Sequence, residues 1–392
     1  MFDPFRKPLK DLELEDLEKL IQSNFSESLF MEYKSQMPSP QKIAKAIAGF
    51  ANSYGGFLVV GADKDCGKNE LPNSFPGATN MPGEPKEYVR NICRDHISPM
   101  PLYQTKYMPT GDSKGVLIVQ VAESTDCPHI NKDGRVYRRQ SSGTDGESIT
   151  EDSRTAIDYL FAKGQAGELA SSRYIESKQD PKGVDKFGLT DGKLFSVESI
   201  VCPIPINELI PDLFVDRERY ARLLPRSDYD FNVDVNCIYL SDSDYYGEMD
   251  TSGCVSMQHI ESAMYRSELT GYRIPKKYFS VPIVLPEWIM SALRKPLITM
   301  RGLLEELKMK GINYFGKIRI SVRLRKVKDK ALFYQGREAY YDDFGVKVCR
   351  HDTLTVPSFD VYPEDINNNQ DRIIDSIMIQ VTRGFNLPFH GQ

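Results

Sequence analysis

Long apolar runs are missing from this sequence. No stretch of its 392 residues approaches the roughly 20 consecutive apolar residues that a membrane-spanning helix needs. The first residues, MFDPFRKPLKDLELEDLEKL, are charged throughout and lack the apolar centre of a secretory signal. We therefore expect no membrane partner, and a cytoplasmic location is the default expectation.

Paired cysteines are also missing. The seven cysteines are odd in number, dispersed and without any C-x-x-C pair; they are Cys66, Cys93, Cys127, Cys202, Cys237, Cys254 and Cys349. This pattern indicates a reducing compartment and argues against a zinc ribbon or a disulfide framework.

Common nucleotide and calcium motifs are incomplete. GADKDCGKN (61–69) resembles a phosphate loop, but five residues separate Gly61 from Gly67, and Asn69 stands where magnesium binding needs Ser or Thr. ATP is therefore not an expected cofactor. The acids of the same stretch do not have the spacing of an EF-hand loop. No nucleophile–base pair can be recognised from spacing.

What is present is the composition of a globular protein. Hydrophobic residues make up 40% and charged residues 27% of the chain, and its length favours two or three domains. We predict a first domain at 1–165, a Gly-, Lys- and Ser-rich linker or long loop at 166–195, and a second domain at 196–392. The net charge of −5 argues against a uniformly basic surface but is compatible with a local basic patch.

Helical and strand patterns alternate in the first domain. Helices are predicted at 11–23 and 39–56, the latter beginning at Ser39-Pro40 and burying Ile43, Ile47, Phe50 and Tyr54 on one face. SLFMEYKS reads as a strand of period two, FLVVGA as a strand buried on both faces, and 147–161 as a closing helix. Residues 196–392 mix helices with many short strands, which indicates a β-rich α+β domain.

Cationic and hydroxyl side chains suggest contacts with nucleic-acid phosphates. Those from the first domain are Lys34, Lys42, Lys45, Arg138, Arg139, Ser141, Ser142 and Thr144. A weaker set lies on one face of KIRISVRLRK and comprises Lys317, Arg319, Arg323 and Arg325. That second face could equally be a solvated sheet face, or one paired with the acids of 359–375. Phosphate contacts carry no sequence information, so the choice between DNA and RNA stays open.

Three blocks in order along the chain carry a family resemblance. They are ESLFMEYK, FANSYGGFLVVGADKD and VYRRQSSGT, and their matching residues are Glu27, Glu32, Tyr33, Lys34, Phe50, Ala51, Asn52, Gly55, Gly56, Leu58, Val60, Gly61, Asp63, Asp65, Tyr137, Arg139, Ser141, Ser142 and Thr144. Over roughly residues 10–162 the chain resembles the Schlafen AlbA-like domain. The resemblance implies an α+β domain with a mixed sheet, so the expected fold class is mixed α/β. It also implies that the protein binds nucleic acid.

For some members of that family, the resemblance further implies a divalent-metal-dependent endoribonuclease acting on structured RNA such as transfer RNA, or on single-stranded RNA. Glu27, Glu32 and Asp63 or Asp65 would then hold Mg²⁺ or Mn²⁺, and Lys34 would offset charge on the phosphorane. In a straight strand Glu27 and Glu32 would stand roughly 16 Å apart on opposite faces, so shared metal binding requires a turn at 27–30.

Other interpretations of these residues stay open. Glu32 and Lys34 could pair with each other, and Asp63 and Asp65 could only build the turn after the buried strand. A third kind of function is a scaffold or sensor acting through the C-terminal domain. The sequence leaves the oligomeric state open, and a homodimer is compatible with it.

Overall fold

The chain divides into two compact units. A computed structural model describes residues 4–5, 7–64, 71–111, 114–142, 145–150, 153–179, 192–204, 206, 209–225, 231–278, 280–310, 312, 314–335 and 346–387. The N-terminal unit comprises Met1–Ala170 and Glu306–Phe315, and the C-terminal unit comprises Ser171–Glu305 and Gly316–Gln392.

The N-terminal unit is a mixed α/β arrangement. After a 3-10 helix at Leu9–Asp11, its elements are α1 Leu14–Gln22, β1 Met31–Lys34, α2 Pro40–Asn52, β2 Gly56–Val60, β3 Asp63–Lys64, β4 Pro72–Ser74, α3 Pro85–His96, β5 Ile97–Ser98, β6 Tyr103–Gly111, β7 Lys114–Val121, β8 Ile130–Asn131, β9 Tyr137–Ser142, β10 Asp145–Thr150 and the first part of α4 Arg154–Lys178.

A four-stranded sheet forms the centre of this unit, in the order β1-β2-β7-β6. β1 and β2 are parallel, whereas β2–β7 and β7–β6 are antiparallel, so the sheet is mixed as expected. Because successive side chains of β2 point to opposite faces, Leu58 and Val60 pack with α2 and α3, while Phe57 and Val59 pack with α1. Two buried cores therefore lie on the two faces of one sheet.

Helix α2 begins as its sequence predicts and ends earlier. Pro40 occupies its first turn, and Ile43, Ile47 and Phe50 are buried. Tyr54 was expected on the same buried face, but the helix ends at Asn52 and the side chain of Tyr54 is 53% exposed. Gly55 turns the chain here with φ +74°, a conformation that favours glycine.

The end of the N-terminal unit differs from the prediction. Residues 145–150 form β10 and pair with β9, so the helix expected at 147–161 begins only at Arg154. The same helix, α4, continues to Lys178 and thus includes much of the predicted linker 166–195. Helix-forming residues in AGELASSRYIESK and the buried Ile175 account for this. Residues 180–191 lie outside the described part of the chain.

The C-terminal unit is β-rich, as expected. Its elements are β11 Leu194–Ile204, α5 Arg217–Ala221, β12 Asn232–Val233, β13 Cys237–Ser241, β14 Tyr245–Asp250, β15 Val255–Ser262, a 3-10 helix Lys276–Tyr278, β16 Ile283–Val284, α6 Pro286–Met309, β17 Lys317–Arg325, β18 Ala331–Leu332, β19 Thr353–Val361, α7 Pro363–Asn368 and α8 Gln370–Gly384. Seven of the strands form one antiparallel sheet in the order β12-β13-β14-β15-β11-β17-β19.

Within the described ranges, no helix is both long enough and apolar enough to cross a membrane.

Candidate nucleic-acid interface

The chain turns at Ser28, immediately before β1. The Ser28 N–H donates to the Met31 carbonyl at 3.0 Å, and the Met31 N–H donates back to the Ser28 carbonyl at 3.4 Å. This turn brings Glu27 alongside β1, where its Oε1 accepts the Tyr33 N–H at 2.8 Å. Burial, together with the charge of Glu27, raises the pKa of the Tyr33 hydroxyl. Glu27 is therefore a buried partner of the β1 backbone.

Side chains cover the outer edge of β1. Glu27 accepts the Tyr33 N–H of this edge, and Arg139 from β9 donates from Nη2 to the carbonyls of Ser28 at 2.7 Å and Met31 at 3.4 Å. An uncovered edge strand would present unpaired backbone groups to another chain. Glu27 and Arg139 belong to two different blocks of the family resemblance, and together they cover one edge of the sheet.

Arg139 is the centre of a buried ionic cluster. Its Nη1 donates to Glu32 Oε2 at 2.6 Å, and Lys34 Nζ lies 2.9 Å from Glu32 Oε1. The guanidinium also lies 4.6 Å from the centroid of the Phe50 ring. Although a phosphate contact was expected for Arg139, the residue is only 3% exposed, and its charge is balanced by Glu32. Its position indicates a structural role.

Two polar residues at the end of α2 join this helix to β9. Asn52 Nδ2 donates to the carbonyls of His129 at 2.9 Å and Tyr137 at 2.8 Å. Ser53 Oγ accepts the Arg139 N–H at 2.8 Å. β9 therefore lies along α2, which places the signature block of β9 beside that of β1.

Two lysines of α2 differ from the other predicted cations. Lys42 is exposed, and Lys45 is half-buried with its Nζ 5.5 Å from the centroid of the Tyr137 ring. Across the residues with described positions, neither lysine forms an ion pair. Arg138 lies half-buried on β9, while Lys34 is paired with Glu32.

The predicted metal ligands do not form a metal site in the described ranges. Asp63 is exposed at the start of β3, Asp65 lies outside these ranges, and Glu27 and Glu32 have the contacts given above. No group of three or more His, Cys, Asp or Glu side chains that could hold a metal ion occurs among the described residues. Glu27 and Glu32 contact the β1 backbone, Lys34 and Arg139.

The remaining phosphate-binding candidates of the N-terminal unit are described only in part. Ser141 and Ser142 belong to β9, but their side chains lie outside the described structure, as does Thr144 as a whole.

The cations of β17 are paired with acids on neighbouring strands. Arg319 contacts Asp360 of β19 through two hydrogen bonds of 2.7 and 3.0 Å. Arg323 and Arg325 both contact Glu198 of β11, at 2.8 and 3.4 Å. Lys317 is half-buried at the start of the strand. The pairing of Arg319 agrees with the alternative in which this face meets the acids of 359–375, and the compensated charges do not favour phosphate binding.

Sequence reasoning missed two features of this region. Phe50 was assigned to the buried face of α2 and to the family resemblance, but the packing of its ring against Gly56 was not predicted; a Cβ on Gly56 would lie 2.5 Å from the ring atoms. Lys163 of α4 was not singled out; its Nζ donates to the Ser53 carbonyl at 2.7 Å and pairs with Glu123 at 2.7 Å. The Gly55-Gly56 pair in the sequence was a signal for close packing against Phe50. Nothing in the local sequence indicated the contacts of Lys163.

The N-terminal unit is thus a mixed α/β domain in which a buried arginine covers the parallel edge strand β1. Residues 27–146 match the family described as "Schlafen, AlbA_2", and this segment is a domain of that family. The match includes the turn at Ser28, the central sheet and β9.

Two solved structures resemble part of the chain. The N-terminal domain of a RecG-related protein from Nitrosomonas europaea is 20% identical; the match covers 36% of this chain and 91% of that domain, with a TM-score of 0.24. The DIP2311 protein from Corynebacterium diphtheriae is 16% identical; the match covers 34% of this chain and 29% of that protein, with a TM-score of 0.21. No curated protein matches the chain.

Proposed function

We propose that the N-terminal unit binds nucleic acid through a surface formed by α2 and β9. The observation that carries this proposal is the pair Lys42 and Lys45, which reach the surface of α2 without an ion-pair partner anywhere in the described structure. Several other cations of the unit pair with acids: Lys34 and Arg139 with Glu32, Lys163 with Glu123, and Lys7 and Lys19 with Asp16. The match to the Schlafen AlbA_2 family supports the same function.

Uncompensated lysines favour a polyanion for a physical reason. A lysine that meets a phosphate releases condensed counterions, and this release supplies most of the sequence-independent affinity for nucleic acid. Lysines already paired with acids contribute less, because the acid competes for the ammonium. We therefore expect the protein to bind many nucleic-acid sequences, with an affinity that falls as the salt concentration rises. Arg138 of β9 would be a further phosphate contact on the same surface.

Reversing both lysine charges tests this function. Lys42→Glu with Lys45→Glu is expected to weaken binding of a labelled 12-nucleotide RNA or DNA at least tenfold near 0.1 M salt, because two phosphate contacts become repulsive. Fluorescence anisotropy with the full chain measures this. The matched control is Lys10→Glu with Lys114→Glu, which changes the net charge equally at exposed lysines outside α2.

The control double variant is expected to bind within about twofold of the unaltered protein, since screening at this salt limits charge effects to about 10 Å. Equal losses in the two double variants would mean that only net charge matters. No binding by the unaltered protein at low salt would contradict the proposed function itself.

Endoribonuclease activity stays a prediction, and Asp63→Asn is its cleanest test. Asp63 is exposed, whereas Glu32→Gln would also disturb Arg139. A metal-dependent nuclease that uses Asp63 should lose at least 100-fold in the rate of RNA cleavage with binding unchanged, because a metal ligand is removed. A cleavage rate that is the same in the variant would exclude this role for Asp63.

Two other expectations also stay predictions: a cytoplasmic location, and a scaffold or sensor role for the C-terminal unit.

A further inference from the structure

Two aromatic side chains meet at the surface where α2 ends and β1 begins. The rings of Phe30 and Tyr54 lie 6.0 Å apart between centroids with an interplanar angle of 51°. Tyr54 is 53% exposed although its sequence spacing predicted burial. We call Phe30 and Tyr54 the aromatic pair. Nothing in the proposed phosphate contacts explains why a large ring stands at this surface.

The backbone beneath Tyr54 is held firmly. The Gly55 N–H donates to the Phe50 carbonyl at 2.9 Å, and a Cβ on Gly55 would lie 2.7 Å from backbone atoms at the end of β7. Lys163 binds the carbonyl of Ser53, and its Nζ lies 6.0 Å from the Tyr54 centroid. A ring on such a restrained turn loses little conformational entropy when it contacts a ligand.

The aromatic pair belongs to the same surface as the α2 lysines. β9 runs beside α2 from Tyr137, which Lys45 contacts, to Arg139, whose N–H binds Ser53 next to Tyr54. Lys42 and Asn52 stand roughly 15 Å apart along the helix axis. A stacked strand rises about 3.4 Å per nucleotide, so roughly four nucleotides span the distance. With the lysines on α2 and the Tyr54 ring just beyond its C-terminal end, this surface suits a short single strand.

We infer that Tyr54, supported by Phe30, is a stacking platform for a base of single-stranded nucleic acid whose phosphates contact Lys42 and Lys45. This inference rests on the proposed function and narrows its ligand to strands with unpaired bases. In a duplex the base faces are already stacked on one another, so a protein ring cannot stack on them without unpairing the helix. Positively charged surfaces combined with exposed rings are typical of sequence-tolerant single-strand binding.

The test compares four proteins: the full chain unaltered and its variants Tyr54→Ala, Tyr54→Phe and Tyr159→Ala. Tyr159 is a matched control because it is 62% exposed on α4. The probes are labelled 12-nucleotide single strands of RNA and DNA, the DNA duplex of the same sequence, and a DNA strand in which the central bases are replaced by abasic sites. Binding is measured by anisotropy at one salt concentration.

We expect Tyr54→Ala to weaken binding of the normal single strands about tenfold. The same variant should leave duplex and abasic-strand binding within twofold, because neither probe offers a free base to the ring. Tyr54→Phe keeps the ring and Tyr159→Ala leaves the platform intact, so both should bind all probes as the unaltered protein does. A larger loss with RNA than with DNA, or the reverse, identifies which sugar the surface favours while still supporting stacking.

Three results would overturn the inference. The first is that Tyr54→Ala binds single strands as tightly as the unaltered protein. The others are that Tyr54→Ala loses the same affinity for all four probes, or that Tyr54→Phe loses as much affinity as Tyr54→Ala. If Lys42→Glu with Lys45→Glu still weakens binding in any of these cases, the proposed function survives and only the stacking platform fails. If the unaltered protein binds none of the probes at low salt, both proposals fail together.

Discussion

Arg139→Ala is expected to lower the free energy of unfolding of the N-terminal unit by roughly 3–5 kcal/mol, the usual cost of removing one partner of a buried ion pair. Arg139 donates to Glu32 and to the carbonyls of Ser28 and Met31, and its guanidinium covers Phe50. Alanine leaves these groups without that donor in a region that water reaches poorly. The edge of β1 should therefore open.

Hydrogen exchange of peptides covering β1 measures this loss locally. The matched control is Arg138→Ala, one residue earlier in β9, where the side chain is only half-buried. We expect it to cost about 1 kcal/mol or less, as is usual for partly exposed charged groups. Similar protection of β1 in the two variants would contradict a structural role for Arg139.

Lys178→Met is expected to cause a loss of similar size in the C-terminal unit, again roughly 3–5 kcal/mol. The ammonium lies 2.8 Å from Glu248 and 2.9 Å from Asp250, with the side chain of Lys178 only 14% exposed. The Tyr174 hydroxyl also donates to Asp250. Methionine preserves most of the volume, so the loss would report the unpaired carboxylates of Glu248 and Asp250.

The folding stability of the unaltered protein and that of Lys178→Met should depend differently on pH. Although burial opposes its charge, attraction by Glu248 and Asp250 raises the pKa of Lys178. Its stabilisation is therefore fully present at neutral pH and is lost only as pH rises above about 10.4 through the folded-state pKa. Lys178→Met lacks this ammonium, so the difference in stability between the two proteins should shrink as pH rises above about 10.4.

The one tryptophan of the sequence, Trp288, lies in α6 on the C-terminal unit, so its emission during urea unfolding reports this transition. Lys193→Met is the matched control, because Lys193 pairs with Glu268 at 2.8 Å in a much more exposed setting. We expect this control to leave the unfolding midpoint nearly unchanged, because exposed ion pairs contribute little to stability. Equal midpoints for the two variants would show that the buried triad contributes no more than a surface pair.

Local signals in the sequence predicted much of the fold. The Ser39-Pro40 start of α2, the alternation of Met31 and Tyr33 in β1 and the continuous apolar run of β2 each depend on neighbouring residues, and each is confirmed. A turn near Ser28 was expected only if Glu27 and Glu32 shared a metal ion; the turn is present, and in it Glu27 accepts the Tyr33 N–H.

Features that depend on distant contacts could not be predicted. Arg139 meets Glu32 across 107 residues of sequence, so its basic character suggested a phosphate while the fold supplied a carboxylate. Tyr54 follows Phe50 by four residues, which predicts a shared helical face, but the contact of Gly55 with β7 ends the helix first. The composition of 166–178 resembled a linker, although the apolar contacts of Ile175 allow the helix to continue.

The role of the α2 lysines is tested most directly by the salt dependence of single-strand binding. The measurement is the slope of log K against log salt concentration for the unaltered protein and for Lys42→Gln with Lys45→Gln, which removes both charges without adding acids. Each phosphate contact contributes about 0.7 to this slope for a single strand, so the variant's slope should be shallower by about 1.4. A variant whose slope equals that of the unaltered protein would contradict the assignment of Lys42 and Lys45 to the nucleic-acid surface.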